Sequence, residues 1–279
     1  MESALLPRET LPRRAMLALP WLGMPPARAA AAPLRVNGGG SALATMRRIG
    51  AGFARTEGGV ALEIGPSLGG VGGLDALLDG RLDAVLSARP LNTWHGARGL
   101  TAMTYARSAL VFATHPGVAA EGVTQEEAGR ILAGTLRFWP DGSPIRVVRR
   151  SAKDMDTVLL RTQLPTLGPA LAALAERPGL LTAGNAEENA DTLEQLPGSF
   201  GILPLGQIAA EGRRLRPLAL DGVAPGLTSS NTGRYPAVKT FQLVLRADAP
   251  PAALLLRDYL AGPETHALLE SLSQGSPWV

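Results

Sequence analysis

Pro66 to Leu91 read PSLGGVGGLDALLDGRLDAVLSARPL, and this stretch concentrates the chain's polar chemistry on backbone that leaves room for a guest. Ser67 stands on a glycine-rich turn after the apolar run Val60 to Ile64. Ser87 ends a second apolar run and is followed by Ala-Arg-Pro. Glycines beside a serine leave the main chain open to close approach. Hydroxyls and free amides at the start of helices suit an anion. A second polar group lies downstream: Arg146, Arg149 and Arg150, then Lys153, Asp154 and Asp156. Arg150 is the arginine placed just ahead of a helix start, and the other two are expected in solvent. Asp154 and Asp156 fall where acids complement a first helical turn.

These groups need a frame. Apolar runs at Leu34–Val36, Val60–Ile64 and Leu82–Leu86 read as short strands. Ser41 to Ala54, with Ser41 as cap, and Gly72 to Asp79 read as helices between them. Strands alternating with helices imply a parallel sheet covered on its faces. Residues 91–105 read as irregular, and Ser108–Thr114 as a buried strand. A second set follows. Thr124 and Glu127 form a capping box for a helix over 125–133. Phe138–Gly142 is a turn and Ile145–Val148 a strand. Helices are expected over 157–163, 168–176 and 186–195, with strands at 200–203 and 240–246. Two helices, 251–261 and 263–272, close the chain. Two α/β units follow, and the crevice between such units is the natural place for a small ligand.

The bulk numbers exclude several classes. With 279 residues, 46% hydrophobic and 18% charged, the chain is globular. Aromatics are 4%, too few for stacking on nucleic-acid bases. The isoelectric point near 9.8 overstates the basic character. Outside residues 1–32 the balance is 23 basic to 22 acidic, and only two of the basic groups are lysines. Nucleic acid is therefore not expected as a partner. Cysteine is absent, which removes disulfides, thiolate chemistry and a lipid anchor on cysteine. Three scattered histidines give no metal site. No cofactor is expected, since neither lysine follows a glycine and no G-x-G-x-x-G follows an early strand.

Residues 1–32 have the form of an export signal. Arg13 and Arg14 precede the apolar run Ala15–Met24, and small residues close the segment before Pro33. The paired arginines fit a twin-arginine signal loosely. Cleavage is expected between Ala29 and Pro33, which places the mature chain in the periplasm.

Four stretches together resemble the periplasmic substrate-binding proteins of phosphate-type ABC transporters, the type II periplasmic binding proteins. They are Val36–Ser41, Ser67–Gly70 with Asp83–Leu91, Ala109–Phe112 with Leu132–Gly134 and Arg146–Arg150, and Pro197–Leu203 with Leu220–Pro225. The resemblance implies two lobes, 33–114 with 236–279 and 115–235. Each is a mixed, mostly parallel sheet flanked by helices, and two hinge strands join them. It implies a small oxyanion, phosphate or a relative, held by Ser41 and Ser67 hydroxyls, the amides after each, and Arg150. The expected ligand shell is Gly40, Ser41, Ser67, Gly69, Ser87, Arg150, Asp154 and Thr157. The expected partner is a permease in the inner membrane, and the protein itself is expected to be a monomer. Two departures stand out. Ala88 replaces the Asp that accepts the proton of phosphate. Ser151–Thr157 replaces a Gly-Ser-Gly-Thr turn, and there Asp154 is a candidate proton acceptor.

Two rival readings differ in class. Gly65-Pro66-Ser67-Leu68-Gly69 matches G-x-S-x-G, the nucleophile elbow of a serine hydrolase. The single strand ahead of it in the mature chain, the glycines after Ser67 and the placing of His266, the only late histidine, in a C-terminal surface helix argue against it. A periplasmic sensor, or a binder of an organic ligand, would use the same cleft.

Overall fold

The parallel units anticipated from the sequence are present, but they are not separate sheets. The computed structural model describes residues 32–277. The expected export signal lies outside them, apart from Ala32. In chain order the first elements are β1 (Leu34–Gly38), α1 (Gly40–Phe53), β2 (Leu62–Glu63), α2 (Gly69–Leu78), β3 (Ala84–Ser87), α3 (Thr93–Gly96) and β4 (Leu100–Thr114). Then come β5 (Gly122–Val123), α4 (Gln125–Ala133), β6 (Arg146–Arg150), α5 (Met155–Gln163), α6 (Gly168–Glu176), β7 (Leu181–Ala183), α7 (Ala186–Gln195) and β8 (Ser199–Pro204). The chain ends through α8 (Leu205–Glu211), β9 (Arg216–Pro217), β10 (Ala219–Leu220), α9 (Leu227–Asn231), β11 (Val238–Arg246), α10 (Pro251–Leu260), α11 (Pro263–Ser271) and β12 (Gln274–Gly275).

The main strand order is β2-β1-β3-β11-β4-β8-β6-β7. β1, β2 and β3 run parallel, as do β6, β7 and β8. Between these wings β11 and β4 are antiparallel to each other and to their outer neighbours. The stretch 91–105, expected to be irregular, holds α3 and the first part of β4. β4 is 15 residues long. Its Leu100–Ala109 segment pairs with β11, and Leu110–Thr114 pairs with β8. A register shift opposite Phe241/Gln242 leaves Tyr105 of β4 as an extra residue, a bulge a few residues before that passage.

Apolar side chains gather in separate cores. One runs from Ala109 to Ala237 and includes Phe112 stacked on Phe200, with ring centroids 5.0 Å apart. A second draws on β1, α1, β3, the start of β4, β11, α10 and α11. A third, smaller core lies under α2. β4, which contributes to all three cores, is therefore shared by halves that bury their own apolar surface, while β11 belongs to the first half.

Local chemistry explains the element ends. Thr124 and Glu127 form the expected capping box, and Gly134, at φ 82°, ends α4. The start of α1 differs from the reading by cap preference. Gly39 is the N-cap, and Ser41 lies inside the first turn. Gly38 permits this, with φ 144° and a backbone so close to Leu86 that a Cβ would collide with it. α2 begins at Gly69, earlier than its weak helix formers suggest. The helix is anchored by Leu74 and Leu77, both at most 2% exposed. α5 begins at Met155, because Asp154 caps it by accepting from the Asp156 amide.

Candidate ligand-binding cleft

Four helices direct their first turns at one cavity of about 550 Å³. Gly39–Ala42 of α1 and Ser67–Gly72 around the start of α2 line one side. Lys153–Asp156 at α5 and Gly184–Ala186 at α7 line the other. α1 and α2 pack in the cores of the first wing, and α5 and α7 in the core of the second. Each first turn carries unpaired N–H groups and a partial positive charge. The β3 end, Leu86–Arg89, and Lys239 and Phe241 of β11 complete the lining.

Of the eight residues expected to form the ligand shell, the cavity wall contains Gly40, Ser41, Ser67, Gly69, Ser87, Arg150 and Asp154. Thr157 is buried in α5 and stands apart from the lining. Several of these groups already have partners. Ser67 Oγ donates to the Gly38 carbonyl at 2.9 Å and accepts from the Gly69 amide at 3.1 Å. Asn37 fastens the same turn: its Oδ1 accepts from Gly38 and Leu68, and its Nδ2 donates to the Pro66 carbonyl. Ser87 Oγ closes a turn on Arg89, accepting its amide and donating to its carbonyl.

Arg150 is 8% exposed. Its Nη1 donates to the Ala183 carbonyl at 3.1 Å and its Nη2 to Asp154 at 2.5 Å. Its buried Nε has no partner among the described residues. Leaving a buried donor unsatisfied costs about 1–3 kcal/mol. Of the other two arginines, Arg146 is exposed, as expected, whereas Arg149 is half-buried. Arg149 donates to Thr182 and to the carbonyls of Leu174, Ala175 and Arg177, and Arg146 donates to the Pro197 carbonyl. Arg89 crosses the cleft to the Lys153 carbonyl at 3.3 Å.

Sequence reasoning passed over Lys239. Its ammonium is buried, and it donates to Ser41 Oγ at 2.9 Å and to Asp156 Oδ1 at 2.5 Å. Burial pushes the Asp156 carboxyl up, against the pull of Lys239. The signal was one of only two lysines in the chain, placed at the edge of a buried strand. The lining holds four cations, Arg89, Arg150, Lys153 and Lys239, against two carboxylates, Asp154 and Asp156. The wall is thus positive by two charges. Glu187, in the first turn of α7, comes close to Gly40, where a Cβ would meet its carboxylate.

The hydrolase reading lacks a base. No histidine lines the cavity, and the Ser67 hydroxyl proton already belongs to a carbonyl. Among the described residues there is no cluster of metal-ligating side chains, and no helix is long and apolar enough to cross a membrane.

Two half-sheets joined through one long antiparallel strand, with helix starts facing each other across a cleft, define the class of bilobal binding proteins. The chain belongs to the PBP superfamily domain family, whose pattern it matches over residues 25–264. Comparison with curated proteins finds no match. Among solved structures it is similar to a protein from Clostridium perfringens classed as a phosphate ABC transporter substrate-binding protein, with phosphate bound. That match has 14% identity and a TM-score of 0.75, and covers 88% of this chain and 99% of the other. An ABC-type phosphate transport receptor from Vibrio cholerae matches at 14% identity and TM-score 0.62, over 88% and 100%. A periplasmic molybdate-binding protein from Azotobacter vinelandii matches at 17% and 0.59, over 88% and 99%.

Proposed function

We propose that the protein is a periplasmic solute-binding protein that takes up a small oxyanion, phosphate or a related tetrahedral anion, in this cleft. The halves 33–114 with 236–279 and 115–235 act as lobes that close on the ligand. The observation that carries the reading is Arg150: a buried guanidinium with an unpaired Nε on a wall where four helix N-termini converge. Ligand contacts from both sides favour the closed arrangement over the open one. The likeness to phosphate- and molybdate-binding structures supports an oxyanion. The protein then binds and releases its ligand unchanged and presents the closed form, as a monomer, to an inner-membrane ABC permease. Residues 1–32 serve as a cleaved export signal, so the N-terminal residue of the periplasmic protein should fall between Ala30 and Pro33.

Thermal melts with phosphate, sulfate and molybdate test the reading. Ligand at 100 times its dissociation constant stabilises the fold by about 2.7 kcal/mol, which raises the melting temperature by several degrees. A melting temperature unmoved by all three anions would overturn it.

A further inference from the structure

Lys239 sits where the two halves of the molecule meet. It lies at the start of β11, where the chain returns from the second half to the first, and its ammonium reaches the first turn of α1 through Ser41 and the first turn of α5 through Asp156. All three residues line the cavity. Lys239 is 5% exposed and Asp156 3%. If this pair were only a brace, apolar side chains of the same volume would serve as well, because desolvating two charges offsets most of their attraction. Its location gives it another purpose. The first turn of α1 presents the positive end of a helix dipole to the same point as the ammonium. Two positive features converge there, and together they call for an anion. In the structure that anion is the Asp156 carboxylate.

We propose that Lys239 is a second cation of the oxyanion site and that Asp156 is its built-in competitor, the pair together setting the affinity of the cleft. This rests on the oxyanion reading given above. An entering oxyanion takes the hydrogen bonds of Lys239 and Ser41. Asp156, released from the ammonium, remains buried in the first turn of α5 and takes up a proton, as its burial and the neighbouring Asp154 favour. The ligand must outbid a carboxylate already in place. That selects for compact anions of high charge density over weakly basic ones.

Calorimetric titration of the full chain with phosphate, sulfate and molybdate tests this in the wild type, Lys239→Met, Asp156→Asn and the double variant. Lys239→Met should weaken the anion bound by the wild type at least tenfold. Asp156→Asn should tighten it at least threefold, and that gain should vanish when Lys239 is also Met. A brace predicts the opposite for Asp156→Asn: a lower melting temperature with affinity unchanged or reduced. That result, or wild-type affinity in Lys239→Met, overturns the inference. If Lys239→Met does not fold, Asp156→Asn decides alone. A wild type that binds none of the three anions overturns the oxyanion reading, and this inference with it. A wild type that binds while both single variants match it overturns this inference only.

Discussion

Arg150 has two hydrogen-bonding duties inside the protein and one nitrogen left over. The Ala183 carbonyl and Asp154 hold the guanidinium plane in the cleft wall, so its remaining N–H donors are fixed before any ligand arrives. Preorganised donors avoid the entropy of ordering at binding. Arg150→Ala should therefore weaken anion binding by about 2–5 kcal/mol, read by calorimetry, because the variant leaves a buried anion without its charge partner. Asp154 keeps its place as the cap of α5 in that variant, so the helix should persist. Ser67 is a different kind of residue. Its hydroxyl joins the Gly38 carbonyl to the Gly69 amide, and so ties the end of β1 to the start of α2. Ser67→Ala removes both bonds, and at about 0.5–1.5 kcal/mol for each it should lower unfolding stability by about 1–3 kcal/mol in urea titration. A nucleophilic serine predicts instead that the wild type cleaves simple esters and that the variant loses this activity at unchanged stability.

At the scale of elements, the first wing is held in register by charge as well as by its ladder. Arg35 of β1 grips Asp83, just before β3, with Nε and Nη2 at 3.0 and 2.7 Å, and its backbone amide adds a third bond at 2.8 Å. The Arg35 side chain holds the Asp83 carboxyl below its ordinary range, with Arg246 adding to the pull. A carboxyl lowered in the folded state stabilises the fold above the unfolded value of about 3.9, and loses that contribution as the pH falls through the folded value. Asp83→Asn should therefore lower stability at neutral pH and flatten the loss of stability below about pH 4, which denaturant midpoints measured from pH 7 to pH 2 will show. Elements whose signals are local were readable from the chain alone. The capping box at Thr124 and Glu127 fixes α4 within four residues of sequence. The seven cavity residues anticipated around Ser41, Ser67, Ser87 and Arg150 sit at strand ends and helix starts, where local turn chemistry marks them. The first part of β4 was not readable, because Thr101 and Ala102 are exposed and no continuous apolar run announces a strand. β11 pairing alone reveals it. Lys239 was not readable for a stronger reason: its partners Asp156 and Ser41 are 83 and 198 residues away.

Across the whole molecule, the sheet is continuous through one long strand. β4 pairs with β11 in the first half and with β8 in the second, so the halves are joined, yet each half buries its own core. At the cleft the halves meet through Arg89 with the Lys153 carbonyl and Lys239 between Ser41 and Asp156, and away from it α1 of the first half packs against α7 and α8 of the second. On the proposed reading, a ligand that touches both walls shifts the population toward closure by its differential affinity for that state. The absence of cysteine makes this measurable, since introduced thiols label uniquely. Asp75 on α2 and Arg161 on α5 are exposed and lie outside the cavity lining. Spin labels at Asp75→Cys and Arg161→Cys should report a broad distance distribution without anion. Saturating phosphate, sulfate or molybdate, whichever the wild type binds, should narrow it and shift it to shorter distances. Lys239→Met should need at least tenfold more anion to reach the same narrowed state, because closure draws its free energy from the contacts the ligand makes on both walls. A distribution already narrow and unmoved at saturation would mean that the halves are rigidly joined and that binding proceeds without closure.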